Sequence, residues 1–570
     1  MKVKRNYFDL SCGNAMPMRM GDLYTVYCAE MVPGDTFHVQ AFISARFMPM
    51  QAPILSEVDI KTWGFAVPYR LVWDDYEQFF TGKNKKRDDV NPSFPRVVFD
   101  RFELYPPHDP EGNDSYDIIE HTFLGGLTDC LDLCWQDGFS FSQENISQQL
   151  DDTIRLMNDW TPVSVLELRA YQMIFNEWFR DQNIDDPVEF GTDSFIYDFE
   201  DERSYVEFNA LTTIRKKRWA KDYFTSALPS PSMADDVFIP IDSNVVYTDS
   251  GGGTEGLVVS TDANSLSAEF GGVFYAKSAS SSSSGRLIDG ANYNNGLAYD
   301  PNGTLRATDN QTTIRELTRA QAVYQYLLDI ARGGNVRYKD FIKTLFNVDV
   351  PDYRAEIPEY IGGGSQPVIV TEVLQTSETD LTAQGTMSGR GVSVSSKASK
   401  NHFFSYSAKE HSFLMVIACI MPKASYASGI PRRHMKFDRY EYYIPQFDHI
   451  GDQEIKRVEL SQNLYGDAKY ETFGYAPRYA EYKSSVSRVH GEYRSSLKFW
   501  TLARDLSDVS QGAPKINSQF LVADDTLIER PFFVQSQGEF SELRPPQVNV
   551  EMWFKVDAWR PMSKLSTPIV

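Results

Sequence analysis

The stretch Thr36–Phe47, TFHVQAFISARF, decides the fold class. Phe37, Val39, Ala41, Ile43, Ala45 and Phe47 share one side, and Thr36, His38, Gln40, Ser44 and Arg46 share the other, with Phe42 the exception. Successive side chains of an extended chain point to opposite faces. Strict alternation therefore predicts a strand with one face in a core and one in water. The turn signal Pro33-Gly34-Asp35 precedes it.

Other strands follow outward from this one. VDIKTWGFAVPYRLVW (Val58–Trp73) is a second extended run, broken by Pro68. FLMVIACIM (Phe413–Met421) is apolar throughout, which predicts a buried strand, since it is about half the length needed to cross a bilayer. VNVEMWFKVDAW (Val548–Trp559) alternates again, with Val548, Val550, Met552, Phe554, Val556 and Ala558 on one side. Strands near both ends predict that the termini meet to close one sheet system, unlike a series of βαβ units.

Helices are interspersed. RAYQMIFNEWFRDQN (Arg169–Asn183) follows Pro162 and Ser164, with Glu167 three residues after the serine. Its Tyr171, Phe175, Trp178 and Phe179 turn around the axis, so the helix is expected to be a buried structural element. Thr313–Glu316 forms a capping box ahead of an apolar face of Ile314, Leu317, Ala320, Tyr324, Leu327, Leu328 and Ala331, ended by Gly333-Gly334. IRKKRWAKDYF (Ile214–Phe224) reads as a third helix, stopped by Pro229 and Pro231. From 240 to 312 the chain turns to Gly, Ser and Asn. Residues 242–312 are read as a surface insertion, either with short β-structure, the favoured form, or mostly mobile. A second irregular stretch runs from 106 to 160, and no repeat is found.

The 570 residues allow a large core, and 31 Tyr, 37 Phe, 29 Pro and 35 Gly fit an obligate assembly or a large loop-rich enzyme. Fifty-six basic against 78 acidic side chains leave −22, which repels nucleic acid and anionic membranes on average. Any DNA contact must then come from local basic knots. Lys2, Lys4 and Arg5 open the chain. Arg215, Lys216, Lys217, Arg218 and Lys221 form a second knot, interleaved with Trp219 and Tyr223, and Pro431–His434 forms a smaller third. The second knot is either a solvated helix face or a phosphate contact. Cys12, Cys28, Cys130, Cys134 and Cys419 make a poor disulfide framework and fit synthesis in a reducing cytoplasm. The N-terminal MKVKRNYFDLSCGNAM has no apolar run of the kind a signal peptide carries, so a soluble protein is expected.

Asn176-Glu177 resembles the acid/base pair of some sugar-cleaving enzymes, but such chemistry needs a second carboxylate within about 5–10 Å and a cleft. Mid-helix among aromatics, Glu177 reads as structural. GGGT and GGGS lack the lysine of a phosphate loop, the eight histidines are scattered, and CLDLC has no second pair at zinc spacing. The acidic span Asp181–Glu202 lacks cation-loop spacing and reads as a solvated loop. No catalytic residue, metal or cofactor is expected.

The ordered set of stretches resembles the major capsid proteins of the Microviridae, nearest the gokushovirus-like branch. Those stretches are PGDTFHVQAFISARFMPMQAPILSEVDI, AVPYRLVWDDYEQFFTG, RAYQMIFNEWFRDQN, KDYFTSALPSP, ARGGNVRYKDFIKTLFNVDVPDYRAEIPEYIGG, PQFDHIGDQEI and FGYAPRYAEYKSSVSRVHGEYRSSLKFW, spanning about 22–500. Residues 106–160, 242–312 and the tail after Asp505 match poorly. The resemblance implies a mainly β, eight-stranded antiparallel jelly roll whose long loops carry helices, with 1–241 and 313–570 as its core. It implies that the 242–312 insertion protrudes at threefold axes and touches the host. It further implies a virion protein, made in the bacterial host cytoplasm, that assembles sixty copies of itself into a T=1 icosahedral shell around circular single-stranded DNA. Implied partners are internal scaffolding, DNA-pilot and small basic packaging proteins and a host cell-surface receptor, with no membrane. On this reading Lys2, Lys4, Arg5 and the Arg215–Lys221 knot face DNA. A receptor-binding fibre protein and a β-rich glycan hydrolase are the alternatives.

Overall fold

The computed structural model describes residues 5–81, 92–97, 126–133, 162–197, 202–230, 258–260, 273–276, 285–286, 342–343, 351–352, 356–368, 370–371, 387–391, 403–448, 451–464, 466–507, 513–532 and 546–564. Ten strands, with the two-residue strand Val370–Thr371 added on the edge beside β7, build its two main sheets: β1 (Asn6–Asp9), β2 (Cys12–Met18), β3 (Tyr24–Met31), β4 (Thr36–Met50), β5 (Val58–Pro68), β6 (Glu359–Val368), β7 (Met387–Gly391), β8 (Phe403–Ser407), β9 (Ser412–Pro422) and β10 (Val548–Arg560).

In the first sheet β10 lies between β4 and the β1–β2 pair, and β7 and β8 join the far side of β4, all antiparallel. The two alternating sequences zip together with their apolar sides in register. Phe37 faces Ala558, Val39 faces Val556, Ala41 faces Phe554, and Ile43 faces Met552. Phenylalanine opposes alanine in two of these pairs, and all of these side chains are buried. The chain ends meet as the alternation predicts, because β1 and β2 both pair with β10.

The second sheet has the order β6-β5-β9-β3. β9 is its apolar centre and is buried from end to end, with β5 and β3 on either side. One side of β5 faces the first sheet: a Cβ on Gly64 would stand 3.0 Å from Phe404 of β8. On the other side, Trp63 and Phe65 pack against Phe179 from a helix. β6, EYIGGGSQPV, carries no strand-like pattern. Its three glycines let its backbone lie against β5, where a Cβ on Gly363 would overlap the Thr62 carbonyl.

Two long connections carry the rest. Between β5 and β6 run helix α1 (Leu166–Ile174), its π-helical continuation Phe175–Phe179, and α2 (Glu202–Thr212). Ser164 does not cap α1 as its N-cap, which is Val165; its hydroxyl accepts the Leu166 N–H at 3.2 Å. Between β9 and β10 a second core gathers Tyr426, Ile455, Leu460, Phe473 and Phe520 with Tyr223 and Phe224. The third expected helix is corrected: Ile214–Phe224 is largely extended. Asp22 bridges to Lys216 and Val522 bridges to Arg218, so backbone pairing to distant segments overrides the local helical pattern. The expected helix beginning at Thr313 lies outside the described residues, as does Cys134. Of the stretch 106–160, residues 126–133 are described and hold one helical turn, Leu127–Cys130.

The chain divides into two compact units, Met1–Met233 with Asp329–Val570, and Ala234–Leu328. The second contains a three-stranded antiparallel sheet with Val273–Ala276 between Val258–Ser260 and Gly285–Arg286.

Candidate functional site: the aromatic helix and the basic segment

α1 lies against the second sheet, and several polar groups along it have structural partners. The Tyr171 hydroxyl is buried; it donates to the Leu23 carbonyl at 2.8 Å and accepts the Arg215 N–H at 3.0 Å. Burial pushes its phenol far above the usual range. Gln172 donates to the Leu211 and Thr213 carbonyls and accepts from Arg215 Nε at 2.9 Å. Asn176, half of the pair suggestive of an acid/base element, is clamped both ways to the Val188 backbone at 2.9 Å. The π turn is closed by the Arg180 N–H on the Phe175 carbonyl. Tyr171, Phe175 and Phe179 are buried; Trp178 is half-buried, stands between Phe65 and Tyr360, and donates to the Pro358 carbonyl at 3.0 Å.

The basic segment runs beside this helix, and four of its cations have internal partners. Arg215 bonds Gln172 and the Ala210 carbonyl, and burial lowers its pKa. Lys216 grips both oxygens of Asp525, at 2.7 and 2.8 Å. Arg218 bonds Asp185 at 2.7 Å, and Lys221 pairs with Asp181. Burial disfavours the Asp185 anion, but hydrogen bonds from Arg218 and Ser518 outweigh it, so the carboxyl titrates below its ordinary value. Lys217 lies 5.0 Å from the centre of the Trp63 ring and 5.1 Å from that of Phe179, and burial lowers its pKa.

This geometry corrects two expectations. The segment is not a solvated helix face, and Asp181 and Asp185 of the acidic span are not solvated; they pair with Lys221 and Arg218. Of the N-terminal knot, Lys2 and Lys4 lie outside the described residues. Arg5 is exposed, 3.5 Å from the Thr36 hydroxyl. In the third knot Arg432 pairs with Glu459 at 3.5 Å, while Arg433 is exposed.

A surface that the sequence reading did not single out lies between β9 and β10. Phe437, Tyr440, Tyr442, Tyr443 and Tyr482 are all exposed there. The signal was the density of rings in FDRYEYYIPQF, which has neither the period of a strand nor that of a helix.

The phage family described as "Capsid protein (F protein)" matches residues 1–100 and 153–570. Capsid protein VP1 of Chlamydia phage 1 is 28% identical, over 99% of this chain and 96% of its own length. Capsid protein VP1 of Bdellovibrio phage phiMH2K is 27% identical over 99% and 95%. Capsid protein VP1 of Spiroplasma virus 4 is 25% identical over 96% and 92%.

Proposed function

Because the chain belongs to the phage capsid protein (F protein) family, we propose that its whole task is to tile with copies of itself into the closed shell of a microvirus. It is a structural major capsid protein, and its place is the virion. Neither the fibre nor the hydrolase alternative is favoured by these relatives. No helix among the described residues is long and apolar enough to cross a membrane.

The observation that carries the finer reading is the nesting of strand pairs. Counting β1–β2 as one interrupted strand and β7–β8 as another gives eight. The first then pairs with the eighth, the second with the seventh, the third with the sixth and the fourth with the fifth. A long antiparallel hairpin rolled into two sheets has this order, which supports an eight-stranded jelly roll. Such a body leaves its long connections outside the sheets, free to meet neighbours. Apolar area removed from water at those contacts favours closure at about 25 cal/mol per Å², before association costs. Symmetry repeats each modest contact around the shell.

The shell is a T=1 icosahedron around circular single-stranded DNA, built with scaffolding, DNA-pilot and small basic packaging proteins. The 242–312 insertion forms threefold protrusions that meet a host receptor. Phosphate contact falls to Lys2, Lys4 and Arg5 more than to Lys216, Arg218 and Lys221, whose charges are matched by carboxylates, or to Arg215, whose guanidinium bonds Gln172 and the Ala210 carbonyl. Sedimentation of the full chain expressed with the other virion proteins tests the assignment. Uniform closed particles are expected, and a solitary chain or a fibre would overturn it.

A further inference from the structure

The exposed rings between β9 and β10 sit on a rigid base. Phe437 is 90% exposed, and Tyr440, Tyr442, Tyr443 and Tyr482 are each about half exposed. Beneath them the Lys436 ammonium is buried, bonded to Glu481 at 2.6 Å and 4.0 Å from the centre of the Tyr482 ring. Glu481 also accepts from Gln453, whose carbonyl oxygen takes the Tyr479 N–H. Tyr479 is buried and held at φ 62°, a left-handed conformation that a bulky residue keeps only when its surroundings enforce it. Its hydroxyl donates to the Tyr442 carbonyl and accepts the Ile444 N–H. The Glu441 carboxylate fixes the turn by accepting the N–H groups of Phe437 and Asp438.

The backbone is thus set in place while the rings face water. A large ring left in solvent on a fixed support gains by burial and loses little conformational freedom on docking. Tyrosine, phenylalanine and arginine are also enriched in protein interfaces, and tyrosine and arginine concentrate binding energy there.

We propose that this platform is a contact surface for a second copy of the chain, with Phe437 as its anchor. The proposal rests on the capsid reading, since a self-assembling family supplies the partner. The surrounding charge points the same way. Arg433, Arg439 and Asp438 are all exposed, and Lys483 bridges to Asp448 at 2.8 Å. A surface of both signs complements another protein surface of mixed charge, whereas a polyanion requires one sign.

The test uses the full chain expressed with the other virion proteins, unaltered or as Phe437→Ser or Phe437→Leu. Closed particles are counted by sedimentation and electron microscopy, and the fold of unassembled chain is followed by thermal melting. Phe437→Ser should melt as the unaltered chain does while particle yield falls at least about tenfold, and Phe437→Leu should restore most of the yield. Phe437→Ser particles at full yield overturn the proposal, including the case in which they form normally but lose attachment to host cells. A Phe437→Ser chain that fails to fold also overturns it, because the ring would then be serving its own subunit. If the unaltered chain forms no particle, the capsid reading itself fails.

Discussion

The Tyr171 hydroxyl stands 2.8 Å from the carbonyl oxygen of Leu23, the residue before β3, and so ties the aromatic helix to the start of the second sheet. The Tyr171 hydroxyl oxygen in turn accepts the Arg215 N–H, joining three distant segments at one buried atom. Tyr171→Phe leaves the carbonyl and the N–H without that partner inside the protein. A loss of about 1–3 kcal/mol is expected, read as a lower denaturation midpoint of the unassembled chain. Trp178→Ala, at a half-buried ring, should cost less than the ~3–5 kcal/mol of a fully buried tryptophan.

Arg218 and Asp185 form a largely buried ion pair. Arg218→Ala strands the carboxylate and should cost about 3–5 kcal/mol, whereas replacing both by apolar residues of similar size should recover much of it. Urea midpoints of the two single variants and the double variant check this. If the segment existed only for phosphates, Arg218→Ala would leave the midpoint unchanged and reduce packaged DNA.

Glu167 gives a pH dependence of definite sign. Burial, with Glu30 and Asp132 nearby, pushes its carboxyl from 4.5 up to about 7. Below pH 4.5 it is protonated folded or unfolded and contributes nothing. Between 4.5 and 7 the folded state binds more protons, so its contribution to stability falls as pH rises. Glu167→Gln should remove that slope and raise stability at pH 8 by at most about 3 kcal/mol, with no gain at pH 4. Melting at both pH values tests it.

Gly429 has φ 92°, and a Cβ there would overlap the Glu459 carbonyl. Gly429→Ala should therefore disrupt the second core and leave the chain insoluble, while Gly466→Ala, also at positive φ (61°) but with open space around it, should lose only a little stability and remain soluble. Soluble yield after expression separates the two.

What could be read from the sequence follows from how much each segment's structure is local. β4 and β10 announce themselves because their alternating side chains alone state which face is wet, and β9 because its unbroken apolar run states that neither face is. The helix at Tyr171 is equally plain, although its π turn is not. β6 is hidden, because its glycines serve a close approach to Thr62 that only the folded chain reveals. Ile214–Phe224 misled because its ring and lysine spacing suits a helix, while its backbone answers to Asp22 and Val522. The ion pairs Asp181–Lys221 and Asp185–Arg218 join residues 40 and 33 positions apart, so acid span and basic knot looked like separate solvated features. The tyrosine platform has no periodicity to read.

The most direct measurement is an electron-microscopic reconstruction of particles recovered from cells expressing the chain with its companion virion proteins. A closed icosahedral shell is predicted, in which every subunit buries ring-rich connections against neighbours while β4 and β10 remain paired within each subunit. Chains that stay solitary, or that join end to end as fibres with no closed shell, would contradict it.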